Sequence, residues 1–206
     1  MQASLNSGIA LSGIAFGFFG KIPARGDFVR AGLPREFVAP WDEWLQMVLP
    51  ASRAALGEAW LPAWIEAPVW RFRLRPGSCG PHAATGILLP SVDRAGRYFP
   101  LTLARIGPTP ASLAGTGGAW LDAVETAGIF AIEQDTGPDE LLSLLQAAEI
   151  LVDGDETRRD DADAGCRWCT RGAPRVPAGA FATATLPGGS VFARMLDAGA
   201  GDAGRS

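Results

Sequence analysis

The sequence predicts an α+β fold, a mostly antiparallel β-sheet of about five strands packed against helices. Short aromatic or β-branched stretches near the start and through the middle alternate apolar and polar residues, tight turns join several of them, and other segments place apolar residues at helical spacing.

Ile14 to Ile22 is apolar and aromatic and is stopped by Pro23, so it reads as a buried strand; Asp27 to Arg30 offers a second strand beyond a turn at Arg25-Gly26. From Phe37 the apolar residues fall at Phe37, Val38, Trp41, Trp44, Leu45, Val48 and Leu49, the one-face spacing of a helix. Pro40 is expected at its first position, after a turn over Leu33 to Val38, with Asp42 and Glu43 at the positive end of the helix dipole. Pro68 to Arg75 alternates Trp70, Phe72 and Leu74 with Arg71, Arg73 and Arg75, a strand with one apolar face and one wet face. Thr85 to Val92 and Arg97 to Ile106 flank Asp93-Arg94-Ala95-Gly96 and read as a β-hairpin. Two helices follow: one through Trp120, Ala123, Val124, Ala127 and Phe130 or Ala131, weakened by Gly128, and one through Leu141, Leu144, Leu145 and Ala148, opened by Pro138, Asp139 and Glu140.

The chain has 206 residues, 48% of them hydrophobic, enough for one sizeable core. The expected domain spans 14–152, and 153–206 is an acidic linker with a C-terminal extension that packs partly on it. Asp153 to Asp163 carries six acids and two bases with no large apolar residue, the composition of a solvated linker. Beyond it, Trp168, Phe181, Leu186, Val191, Phe192, Met195 and Leu196 can pack back on the core, and Asp197 to Ser206 is expected to fray.

A formal net charge of −4 argues against nucleic acid and anionic lipid as partners. Three cysteines, Cys79, Cys166 and Cys169, make no secreted disulfide framework and fit a reducing cytoplasm. The apolar run from Ile9 to Phe19 has no preceding Lys or Arg and no small-residue cleavage site after it, and it is too short to span a bilayer.

Several motifs invite chemistry. Gly20-Lys21 lacks the following Ser or Thr and the helix start of a phosphate loop, since Ile22-Pro23 comes next. Arg25-Gly26-Asp27 reads as a turn closed by Gly26 rather than an adhesion tripeptide. Cys166-Arg-Trp-Cys169 has redox or half-zinc spacing, and Cys79 and His82 would complete a Cys₃His set. Asp160 to Gly165 has the spacing of a calcium loop without its closing Glu. A triad would have to use His82, and no Gly-x-Ser-x-Gly elbow occurs. No catalytic residue, metal or cofactor is assigned from these patterns.

Two blocks carry a family resemblance. Gly17-Phe-Phe-Gly-Lys-Ile-Pro-Ala-Arg-Gly-Asp-Phe-Val-Arg-Ala-Gly-Leu-Pro, continued by Phe37 and Trp41-Asp-Glu-Trp-Leu-Gln46, resembles the opening signature of the TagF family of type VI secretion-associated proteins. Leu89-Pro-Ser-Val-Asp93 with Gly96-Arg-Tyr-Phe-Pro-Leu101 is similar to the hairpin of the same family. The resemblance covers about residues 14 to 152. A weaker echo reaches Trp168 and Leu186-Pro187, where members often carry a Trp pair and this chain has Cys169 second. The resemblance implies a cytoplasmic accessory protein that restrains type VI secretion after translation by binding a forkhead-associated scaffold protein. It attaches no catalytic residue to the motif.

Lys21, Arg25, Asp27 and Arg30 are expected to fix a turn and pack it against Asp93 and Arg97, because buried charges persist chiefly when paired; a contact surface, with Trp41 and Trp44 beside it, is the functional alternative. Arg71, Arg73 and Arg75 form a basic stripe that either blunts an exposed edge strand or docks an acidic surface of the partner. An interaction module is favoured over a thiol- or zinc-dependent enzyme using Cys166 and Cys169, and over a structural subunit of the apparatus.

Overall fold

The structure, a computed structural model, describes residues 13–152 and 165–200. Seven antiparallel strands form one sheet: β1 (Ala15–Gly20), β2 (Val29–Ala31), β3 (Trp70–Leu74), β4 (Ala83–Leu89), β5 (Leu101–Gly107), β6 (Cys166–Thr170) and β7 (Gly179–Thr183), in the spatial order β2-β1-β5-β4-β3-β6-β7. The helices are α1 (Arg35–Leu56), α2 (Trp60–Ile65), α3 (Gly118–Glu133), α4 (Pro138–Glu149) and α5 (Gly189–Leu196). The α+β expectation holds, with a wider sheet than the five strands expected.

The apolar residues divide the helices between two faces. Trp41, Trp44, Trp60 and Trp64 of α1 and α2, with Phe192 of α5, share one core with Phe72, Leu88, Ile106 and Trp168 of the sheet. Trp120, Val124, Leu141 and Leu145 of α3 and α4 share a second core with Phe18, Ile87, Leu101 and Leu103. Strand β4, AATGILL, is buried throughout because both faces are covered, which is why it reads as a continuous apolar run. Gly128 lets α3 come close to the sheet: a Cβ there would stand 3.0 Å from Leu103 Cδ1 and 3.2 Å from Ile87 Cδ1.

The first helix does not start at Pro40 as expected. Helix α1 begins at Arg35, after Pro34, and holds both Pro40 and Pro50 in its interior. The bond lost at Pro40 is the one to the Glu36 carbonyl. The loop before β4 covers that notch: the Cys79 thiol donates to the Phe37 carbonyl at 3.6 Å, and Gly80, at φ +85°, lies so close that a Cβ would meet Glu36 O at 2.2 Å.

The C-terminal extension does more than pack partly on the domain. Strand β6 pairs with β3, β7 pairs with β6, and α5 lies on α1, so residues from 165 onward complete the sheet and the first core. Trp168 stacks on Trp41 at 6.2 Å and tilts against Trp44 at 5.8 Å. This pairing also makes β3 an interior strand, so its arginines do not blunt an edge. The acidic stretch Asp153–Asp163, most of the calcium-like run, the first residues of the apolar N-terminal run and 201–206 lie outside the described residues.

Candidate functional site

Strand β1 ends at Gly20, whose φ of +142° and close approach to the Pro100 carbonyl leave no room for a side chain. The chain then turns Lys21 inward. Opposite it, Asp93 heads the turn between β4 and β5, which Gly96 completes at φ +78° and the Val92–Tyr98 bridge closes.

Both side chains are buried, and the Lys21 ammonium donates to Asp93 Oδ2. Asp93 Oδ2 also accepts from Arg97 Nε at 2.7 Å, while Oδ1 accepts the backbone N–H groups of Ala95 and Arg97, each at 2.9 Å. Burial alone would raise this carboxyl's pKa; the Lys21 ammonium, the Arg97 donors and the Ala95 N–H outweigh it and hold the group well below the usual carboxylate range.

The same residues knit the turn to the loop after β1. The Arg97 guanidinium donates to the Gly26 carbonyl, and the Arg94 N–H to the Arg25 carbonyl at 3.0 Å. Ser91 Oγ donates to the Lys21 carbonyl at 2.7 Å, and Trp64 Nε1 reaches the Ser91 carbonyl at 3.2 Å, tying α2 to the same point. Phe28 lies 4.9 Å from the Lys21 ammonium, stacks on Phe19 and meets Phe99 edge-on at 4.7 Å, yet half of it is exposed.

The charged motif therefore splits. Lys21, Asp93 and Arg97 come together; Arg25 joins through its carbonyl while its side chain is exposed, as are Asp27 and Arg30. Trp41 and Trp44 belong to the core, where Trp41 Nε1 donates to Thr102 Oγ1 at 2.9 Å and Trp44 Nε1 to the Pro187 carbonyl at 2.7 Å. Sequence reasoning missed Phe28, Ser91 and Trp64. The signal for Phe28 was present as a lone large apolar residue inside a charged loop.

The stripe on β3 is not a wet face. Arg71 is mostly covered by α3, whose Glu125 accepts from its Nε at 2.8 Å and whose Asp122 accepts from its Nη2 at 2.6 Å. Arg73 reaches the Thr116 carbonyl at 3.5 Å, and Arg75 lies past the strand's end, its N–H bonded to the Gly165 carbonyl at 2.9 Å.

The cysteine pair sits on strand β6, where positions three apart face opposite sides. Cys166 is buried in the first core and Cys169 is exposed on the other face, so the two thiolates cannot converge on one ion. Burial, with Cys166 adding to it, pushes the Cys79 thiol up to about 12, and His82 is exposed. Among the described residues no three candidate ligands cluster. None of the described helices is long and apolar enough to cross a membrane.

The family described as the TagF N-terminal domain, type VI secretion system-associated, matches residues 17–148. The crystal structure of PA0076 from Pseudomonas aeruginosa PAO1 is similar at 33% identity and a TM-score of 0.68, over 89% of this chain and 94% of that one. A search of curated proteins finds no match. The matched span holds the Lys21 to Asp93 pair, both blocks of the signature and helices α1, α2 and α3, and on that match the chain belongs to the type VI secretion-associated TagF family.

Proposed function

We propose that the protein is a non-enzymatic accessory factor that restrains type VI secretion after translation, acting in the cytoplasm by binding a forkhead-associated scaffold component of the apparatus. The observation that carries this reading is the division of labour inside the signature. Its buried members, Lys21 and Asp93, with the part-exposed Arg97, are spent on holding two loops together, while Arg25, Asp27 and Phe28 are held outward on the loop so fixed. A half-exposed aromatic ringed by both charge signs is the composition of a contact surface, because the ring supplies area and the charges supply orientation.

The forkhead-associated partner is what the resemblance to the family implies, and it is the part of the proposal that the test addresses. The test is co-purification of the forkhead-associated protein with the tagged full chain from cells, compared with Arg25→Glu/Phe28→Ala, alongside secretion of an effector. The proposal expects the wild-type chain to capture the scaffold and depress secretion, and the double variant to do neither while remaining folded. Capture without any change in secretion removes the restraining role; no capture removes the partner.

A further inference from the structure

The two edges of the sheet are protected differently. Strand β2 closes one edge with only three residues, and the exposed Arg30 sits at its centre. Strand β7 closes the other with five, Gly179 to Thr183, in unbroken register with β6. An edge strand turns every second N–H and C=O away from its neighbour, and proteins blunt such a row with charge, proline or a covering element. Strand β7 contains no proline, the chain carries no charged residue from Val176 to Ala193, and among the described residues β7 pairs with β6 alone.

The side chains stop short along the same line. Phe181 stacks on Trp168 at 6.5 Å and meets Trp70 edge-on at 5.4 Å, at the margin of the first core, and it stays part-exposed. On the opposite face Ala180 and Ala182 are exposed and too small to obstruct a further strand. One added strand would pair the outward peptide groups and cover Phe181 together. Outward peptide groups at strand spacing select extended backbone, and side chains decide whose. A second copy running antiparallel about a two-fold axis at Phe181 sets ring against ring and Ala180 against Ala182, with no like charges facing. The ends of the strand suit the same direction. Arg171, exposed though bridged to Asp122, stands at the turn between β6 and β7, and the acidic stretch Asp153–Asp163 precedes β6 at the other end, so antiparallel pairing sets each copy's Arg171 end towards the other's acidic end.

We propose that β7 is a self-association edge: two copies of this chain pair β7 with β7, antiparallel and with Phe181 opposite Phe181, so that one sheet continues across the two-fold axis. A five-residue ladder is a small interface, so the dimer is weak and reversible. The edge lies at the opposite end of the sheet from β2 and the loop that precedes it, and the proposal does not depend on the forkhead-associated partner.

The test is sedimentation velocity of the full chain from about 1 to about 300 μM, the range in which a small interface associates. Wild-type protein is expected to shift reversibly from the 21.6 kDa of one chain towards twice that mass and no further, because a two-fold pairing closes on itself. Ala180→Glu/Ala182→Glu, at exposed positions, sets like charges directly opposite one another across the axis and is expected to weaken association at least about tenfold. Ala180→Lys/Ala182→Lys is expected to do the same, and mixing the two variants to restore a dimer. Circular dichroism checks folding. If either variant fails to fold, hydrogen–deuterium exchange of the wild type over the same concentrations decides, with slowing expected at residues 178–184 as the dimer forms. A wild type that stays monomeric throughout, growth past the dimer, or slowing confined to other segments overturns the proposal. So does a folded Glu variant that associates as wild type, or a mixture no better than either variant alone. Because no secretion component is present, failure here leaves the proposed function standing.

Discussion

The ammonium of Lys21 meets the carboxylate of Asp93 in the interior although 72 residues separate them in sequence. The contact joins the end of β1 to the turn between β4 and β5. Since Asp93 Oδ1 also takes two backbone N–H groups of its own turn, those of Ala95 and Arg97, one carboxylate orders the turn and anchors the loop before β2. Charge buried this way is retained only when every lone pair is answered, and here four donors answer one carboxylate.

Removing one partner strands the other. Lys21→Met and Asp93→Ala are each expected to destabilise the protein by about 3–5 kcal/mol, with the double variant costing less than the sum. Urea unfolding at neutral pH measures this; losses under about 1 kcal/mol would place the pair with weak surface bridges. Acid acts on the same carboxylate. Its folded pKa lies below the ordinary value of 3.8, so the stability it contributes is present above about pH 4 and is lost as pH falls through the folded value. Wild type should lose stability on acidification more steeply than Asp93→Asn, and parallel pH profiles would contradict this.

Trp44 tests the first core. It is buried between Trp41, Trp168 and Phe192, and it donates to the Pro187 carbonyl. Trp44→Ala is expected to cost about 3–5 kcal/mol through the cavity, and Trp44→Phe about 1–3 kcal/mol with the Pro187 carbonyl left unpaired. Chemical denaturation with an unchanged midpoint in Trp44→Ala would show that the ring is not packed as described.

Truncation after Val152 is expected to give insoluble or unfolded protein. Strand β3 would become an edge, and Trp41, Trp44 and Phe72 would lose Trp168 and Phe192. A soluble, cooperatively unfolding fragment 1–152 would show that the TagF-matched span folds without the last two strands of the sheet, which lie beyond it.

How much could be read in the chain follows from which signals were local. The alternation on β3 and the hairpin around Asp93 were legible because strand period and turn residues are written within a few positions. Pro40 misled, because what makes an interior proline tolerable is the loop at Cys79 and Gly80, far away in sequence, which covers its notch. Strand β6 alternates buried and exposed residues as cleanly as β3, yet an acidic run precedes it and its cysteine spacing suggested chemistry instead. Arg71, Arg73 and Arg75 were placed on one face of the strand, but no local pattern reveals that α3 covers that face with two carboxylates. In the signature, packing of the charges from Lys21 to Arg30 against Asp93 and Arg97 was expected from charge burial, but which of them goes inward, and the outward setting of Phe28, depend on contacts such as its stack with Phe19 and Phe99 that only the folded sheet assembles.

The central claim is that the Lys21 to Asp93 pair builds a loop that contacts the scaffold. Hydrogen–deuterium exchange of the full chain, alone and with the purified forkhead-associated protein, reads that surface directly. The account predicts slowed exchange at residues 23–28 and 93–97 in the complex, and none in Arg25→Glu/Phe28→Ala. Protection confined to other surfaces, or no protection under conditions where the two proteins co-elute, would contradict it.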